Sequence, residues 1–207
     1  MIDAHVHLGS IPSNGKNWGS FREYKSIAKK LGINRYGTVP IGLPENFTNN
    51  STPDNNSVLK ESEKNKSVIP VYWFNVFDLP ENIDNRYKSI KFHSDIGQIN
   101  IDDQRIIDFV KRINLPVFLH TNESKDYSSL ERVSLLAGKV NVPVIAVHSG
   151  SITRTFFKLD SYKFPDNVYF ETSGIQYAVI LKKYIKCLVR KELYLGVIIY
   201  LEIQEFR

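Results

Sequence analysis

Apolar residues return along this chain in two alternating rhythms. Short runs of β-branched and aromatic residues fall at Ile2–His7, Tyr36–Ile41, Val68–Val76, Ser89–His93, Leu115–His120, Val142–His148, Val168–Thr172 and Leu193–Gly196. Runs of this kind, punctuated by Gly, Pro and Asn, read as strands. Between them the apolar positions follow the helical period. They predict helices over Ser20–Leu31, Pro53–Lys64, Asp102–Ile113, Ser128–Lys139, Thr153–Lys163 and Gln176–Lys191. The link Pro80–Tyr87 has room for one helical turn. Asp102 precedes the apolar positions Ile106, Ile107, Phe109 and Val110, where a carboxylate is expected to cap the helix. Pro116 and Pro143 sit at strand openings, where a missing N–H is tolerated. Asn46–Ser57, rich in Asn, Thr and Ser, reads as a loop and not as a linker between domains.

Alternating strands and helices imply parallel strands joined by crossover helices. Eight strands suggest a closed (β/α)8 barrel, a single domain over residues 1–207. That length is near the lower limit of about 200 residues for the fold. An open doubly wound sheet is the competing architecture, but it usually carries a glycine-rich loop after its first strand. Here the first strand ends in His-Val-His-Leu-Gly.

Composition narrows the class without naming a function. A chain of 207 residues buries about 70% of its unfolded surface and needs no disulfides. Cys187 is the single cysteine, so no disulfide forms within the chain. With 42% hydrophobic and 24% charged residues, the chain matches soluble globular proteins. The run VIPVYWFNVF falls well short of the ~20 apolar residues of a membrane span. The start, MIDAHVHLG, lacks the basic region of a signal peptide, and the expected compartment is the cytoplasm. The 27 Lys and Arg exceed the 22 Asp and Glu by five. These basic residues are scattered, and the densest group, KKYIKCLVRK, has apolar residues at helical spacing. It reads as the wet face of a helix, so neither a nucleic-acid nor a membrane partner is expected.

The candidate chemistry lies in five histidines: His5, His7, His93, His120 and His148. Each stands at or near the end of an expected strand. His5 and His7 are two apart on one strand and so share a side. In a parallel barrel the C-terminal strand ends meet at one mouth, where active sites lie. Neutral imidazole is a good ligand for zinc, iron or manganese. A third ligand from another strand leaves one position open, and water bound there becomes a nucleophile near neutral pH. One strand-end histidine is usually structural; five together point to a metal site.

The strings IDAHVHLG, SIKFH, VFLHT, AVHSG and VYFETSG, in this order from Met1 to about Gly196, together resemble the amidohydrolase superfamily. The closest branch holds the aminocarboxymuconate-semialdehyde decarboxylase-like enzymes. The resemblance implies that His5, His7 and His120 are metal ligands and that His148 activates substrate or water, as in mononuclear members, or is a ligand, as in binuclear ones. It matches Lys91 and His93 to a Lys-x-His on the fourth strand. Lys91 would be a carbamylated bridge in binuclear members, and otherwise an ammonium facing a substrate carboxylate or a neighbouring acid. His93 would contact substrate. Glu171 reads as an outward-facing acid, with orientation of a neighbour as the alternative. Trp18, Phe21 and Phe47 would line a pocket or anchor loops. The metal-dependent deoxyribonucleases resemble the chain less, because they carry Glu on the fourth strand. Histidinol-phosphatase-like barrels need further His and Asp ligands not found here.

The implied activity is metal-dependent hydrolysis of a C–N or C–O bond in a small molecule, with decarboxylation as the alternative. The family pattern ends its eighth strand with Gly-Ser-Asp, whose Asp is the usual general base. This chain reads KELYLG and then VIIYLEIQEFR. A one-base insertion after the Gly196 codon, with Val197 encoded as GTG, restores Gly-Ser-Asp. The expectation is therefore a barrel truncated or frameshifted near residue 197. Its turnover would be impaired or lost, and its uncovered surface would be covered by a partner chain, as in a homo-oligomer, or tolerated with lowered stability.

Overall fold

The computed structural model describes residues 1–10, 17–18, 20–41, 53–150, 163–173 and 193–194. Eight strands run in parallel and in chain order: β1 (Ile2–Ser10), β2 (Arg35–Pro40), β3 (Val68–Trp73), β4 (Ser89–Phe92), β5 (Val117–His120), β6 (Val144–Val147), β7 (Val168–Glu171) and β8 (Leu193–Tyr194). A two-residue segment, Asn17–Trp18, adds antiparallel to the end of β1. Four helices are described: α1 (Phe21–Lys30), α2 (Asn55–Lys64), α3 (Gln104–Ile113) and α4 (Leu130–Ala137). This is the α/β sheet of a TIM-type barrel. Among the described residues no pairing joins β8 back to β1.

Every expected strand is present, shorter by a residue or more at several ends. The expected helices Thr153–Lys163 and Gln176–Lys191 lie almost wholly outside the described residues, as do Phe47 and everything after Tyr194. Pro80–Tyr87 holds no helix. It closes instead in a turn, with the Tyr87 amide donating to the Asp84 carbonyl at 3.1 Å.

Strand alternation builds two apolar layers. Val117 and Leu119 of β5, Val144 and Ala146 of β6, and Val168 and Phe170 of β7 face α3 and α4, packing on Ile106, Phe109, Val133 and Leu136. Their alternates Phe118, Ile145 and Val147 turn inward with Val39, Val71 and Trp73. Pairing aligns Trp73 with Lys91, Lys91 with Phe118, and Phe118 with Ile145, so these inward residues form one layer across the sheet.

Caps mark the helix ends. Ser20 and Glu23 form a reciprocal capping box at α1. Helix α3 begins at Asp103, whose side chain accepts from the Arg105 amide, and ends at Asn114 in the left-handed region. Asp103 thus takes the capping role expected of Asp102, because Asp102 is drawn away to Arg132 at 2.8 Å. Phe21 lies on α1 and packs against the Val6, Leu8 and Tyr24 cluster, which makes it an anchor and not a pocket wall.

Strand β1 carries a bulge where the site begins. Its register with β2 shifts between Asp3 and Val6. Asp3 reaches outward to accept from the Tyr24 hydroxyl at 2.5 Å. Ala4 then packs on the inner layer, while Val6 and Leu8 face α1. The extra residue re-aims the strand, leaving His5 and His7 on the inner side.

Candidate active site

All five histidines converge at the C-terminal mouth of the sheet. His5 and His7 meet edge to face with ring centroids 4.8 Å apart. His5 lies 6.1 Å from His148, and His148 lies 4.9 Å from His120. His120 stacks on His93 at 3.8 Å, and His93 in turn stacks on Trp73 at 5.8 Å. Three planar groups from β3, β5 and the end of β4 therefore line one wall.

Beneath them lies a buried ionic core. Lys91 and Glu171 are both 0% exposed, and His5 is 1% exposed. Lys91 Nζ is 3.3 Å from His5 Nε2, and His5 Nδ1 is 3.8 Å from Glu171 Oε2. Burial lowers the lysine to about 7 despite the pull of Glu171, and raises Glu171 to about 7 against its hydrogen bonds and Lys91. Glu171 is thus an inward acid, contrary to the surface position its sequence context favoured. Its strand alternates Val168 and Phe170 toward the helices, which sends Tyr169 and Glu171 inward.

The imidazoles are held neutral. Desolvation is the first cause at each of them, with the charge of Lys91 adding to it. His7 falls to about 3 and His148 to about 4. Neutral rings are what metal ligation needs. His7 Nδ1 lies 3.2 Å from the Pro40 carbonyl. A carbonyl can only accept, so Nδ1 carries the proton and Nε2 keeps its lone pair.

Donor atoms of His93, Asp95 and His120 all lie within 4.8 Å of one another. Asp95 Oδ2 is 3.3 Å from His120 Nε2. His93 Nδ1, Asp95 Oδ1 and His5 Nδ1 are buried without a hydrogen-bond partner among the described residues. An unsatisfied buried carboxylate oxygen and ring nitrogen in one cluster suit a cation, so the donor set fits a divalent transition metal. The ring stack means that one imidazole must turn for His93 and His120 to bind the same ion. Of the ligands the resemblance implied, His120 belongs to this cluster, while His5 and His7 adjoin it through His148 and Trp73.

Sequence reasoning missed Asp95 and Ser173. Asp95 had a signal, because it stands two residues beyond His93 just as His93 stands two beyond Lys91. Ser173 had none.

No family model matches this sequence, and none of the curated proteins matches it. Solved structures do. An uncharacterized TIM-barrel protein from Bordetella bronchiseptica superposes with a TM-score of 0.69 at 12% identity, covering 95% of this chain and 84% of the other. The 5-carboxyvanillate decarboxylase of Sphingomonas paucimobilis gives 0.69 at 11% identity, over 96% of this chain and 88% of the enzyme. The 2,6-dihydroxybenzoate decarboxylase of Rhizobium gives 0.62 at 11%, over 95% and 86%. At such identities the likeness is one of fold, and the fold is the TIM barrel. Among the described residues no helix is long and apolar enough to cross a membrane.

Proposed function

We propose that this chain is a metal-dependent lyase of the amidohydrolase type that removes carbon dioxide from an aromatic carboxylate. The observation that carries the reading is the gathering of five desolvated imidazoles at the mouth of a TIM-type barrel. Two of its structural neighbours are decarboxylases, which favours decarboxylation over the hydrolysis first expected.

Zinc, iron or manganese suits the nitrogen and oxygen donors. His120 enters either ligand set, with His5 and His7 or with His93 and Asp95. When bound, the ion supplies positive charge that offsets charge on the substrate's oxygen atoms. The edges of the Trp73, His93 and His120 stack offer an aromatic ring edge-to-face contact. Decarboxylation without an oxidant balances with one proton: the ring carbon gains it as its bond to the carboxylate breaks and carbon dioxide leaves. We assign its delivery to His148: Nε2, a lone pair in the resting ring, takes up a proton from solvent and passes it to the ring carbon. Lys91 holds His5 and faces Glu171, a structural charge rather than a bridge.

The test reconstitutes the protein with each metal in turn and supplies 2,6-dihydroxybenzoate and 5-carboxyvanillate. Carbon dioxide release is expected, and its loss is expected in His148→Asn. Cleavage of ester or amide substrates without carbon dioxide release would instead establish hydrolysis. Metal content without either reaction would make the chain a non-catalytic barrel. Metal analysis of His120→Ala, His5→Ala and Asp95→Asn separates the ligand sets. His120→Ala loses metal in both, and the other two each lose it in one.

A further inference from the structure

The turn that presents His148 has an unusual backbone. His148, Ser149 and Gly150 all lie at positive φ, at 63, 48 and 87°. Two successive non-glycine residues in the left-handed region are unfavourable and persist only where surrounding bonds impose them.

Those bonds come from the strands on either side. The His148 amide donates to Glu171 Oε2 at 3.1 Å, and the Ser149 hydroxyl donates to the Glu171 carbonyl at 2.7 Å. From β5's side, Thr121 Oγ1 accepts from the Gly150 amide at 2.7 Å and donates to the Val147 carbonyl at 2.5 Å. The ring itself is held by Ser173. His148 Nδ1 lies 3.0 Å from the Ser173 carbonyl and 2.9 Å from its hydroxyl oxygen. The Ser173 hydroxyl donates to Glu171 Oε2, and the Ser173 amide donates to Glu171 Oε1 at 2.6 Å.

These contacts select one tautomer. A carbonyl only accepts, so the proton facing it belongs to Nδ1. The Ser173 hydroxyl spends its own hydrogen on Glu171 and can offer His148 only a lone pair. Both partners therefore demand Nδ1–H, which leaves Nε2 as a free lone pair on the far edge of the ring.

We propose that Glu171 and Ser173 are positioning residues for His148: the Glu171 carboxylate pins the strained turn and directs the Ser173 hydroxyl so that His148 is locked as the Nδ1–H tautomer. The consequence for turnover rests on the role proposed above for His148, but the lock itself is measurable without substrate.

The test is long-range ¹H–¹⁵N NMR on metal-stripped full chain carrying ¹⁵N-histidine, with the His148 signals assigned by their loss in His148→Asn. Wild type is expected to show Nδ1–H. In Glu171→Leu no carboxylate remains to accept from the Ser173 hydroxyl, which is then free to donate to His148 Nδ1. The Nδ1–H fraction is expected to fall while His7, His93 and His120 keep their signals; His5, 3.8 Å from Glu171, is expected to shift as well. Ser173→Ala, which keeps the carbonyl, is expected to retain Nδ1–H. A wild-type spectrum showing Nε2–H overturns the proposal, as does a folded Glu171→Leu protein with an unchanged His148 tautomer. If Glu171→Leu does not fold, the wild-type tautomer decides. Where arenecarboxylate turnover exists, Glu171→Leu is expected to lower kcat at least tenfold with little change in KM. If no arenecarboxylate turns over, the reading of function fails, and the NMR result still decides the lock.

Discussion

Burial sets the charge state of the site's histidines more than any partner does. The unfolded chain takes up protons on its imidazoles near pH 6.5, whereas folded His148 waits until about 4 and folded His7 until about 3. His5, His93 and His120 are shifted in the same direction. Over that range the unfolded state holds more protons, so stability falls as pH falls. Glu171 opposes this: raised from 4.5 to about 7, it binds a proton in the folded state first, which favours folding as pH drops through that window. One group cannot offset five. Lys91, lowered from 10.5 to about 7, leaves the unfolded state more protonated in between and makes stability rise with pH there. Urea midpoints of metal-free protein are therefore expected to climb from pH 4 to above neutrality, most steeply below 6.5, and less steeply in His148→Asn. A midpoint flat between pH 7 and 5 would contradict the assignment. These residues were legible in the sequence as histidines at strand ends. Their neutrality was not, because desolvation depends on what packs around them. Glu171 shows the same limit from the other side, since an acid at a strand end reads as exposed until the layers on its two faces are known.

At the scale of elements, the bulge in β1 decides where His5 points. It depends on the neighbouring strand at Gly37, where a Cβ would stand 2.2 Å from the Ala4 carbonyl oxygen. Backbone cannot yield as a side-chain tip can, so β1 and β2 would have to separate. Gly37→Ala is expected to cost more than about 2 kcal/mol, read as a fall in Tm, and to disturb metal binding beyond what stability alone explains. A variant of wild-type Tm and metal content would show that the strands tolerate the spacing. Asn55 makes a second joint of this kind. Its side chain donates to the Trp73 carbonyl at 2.9 Å and accepts from the Trp73 amide at 2.8 Å, so α2 holds the end of β3 as a strand would. Asn55→Ala leaves both backbone groups of Trp73 without these bonds. It is expected to cost about 1–3 kcal/mol in a denaturant titration. The strands and the four described helices were legible as alternating periods in the sequence. The caps were less so: Asp102 and Asp103 are equivalent on paper, and only Arg132 on another helix separates them.

For the whole molecule, the site joins elements distant along the chain, so a bound ion should tie them together. A ligand that binds only the folded state stabilises it by mass action, about 2.7 kcal/mol at a hundredfold excess over Kd. Zinc or manganese is expected to raise the Tm of wild type and to leave His120→Ala unmoved. Equal shifts in both would place the ion elsewhere.

Among the described residues, the order of strands and helices followed from the sequence by itself, because hydrophobic period is a local property and each run was long enough to display it. So did the barrel class and the identity of the five histidines, since parallel strands gather their C-terminal ends wherever crossovers are short. Only the tertiary structure decided which acids join them. Asp95 reaches His120 and Glu171 reaches His148 by side-chain contacts across neighbouring strands, whose inward or outward aim the sequence does not display. Such contacts are made by packing, and packing has no period to read.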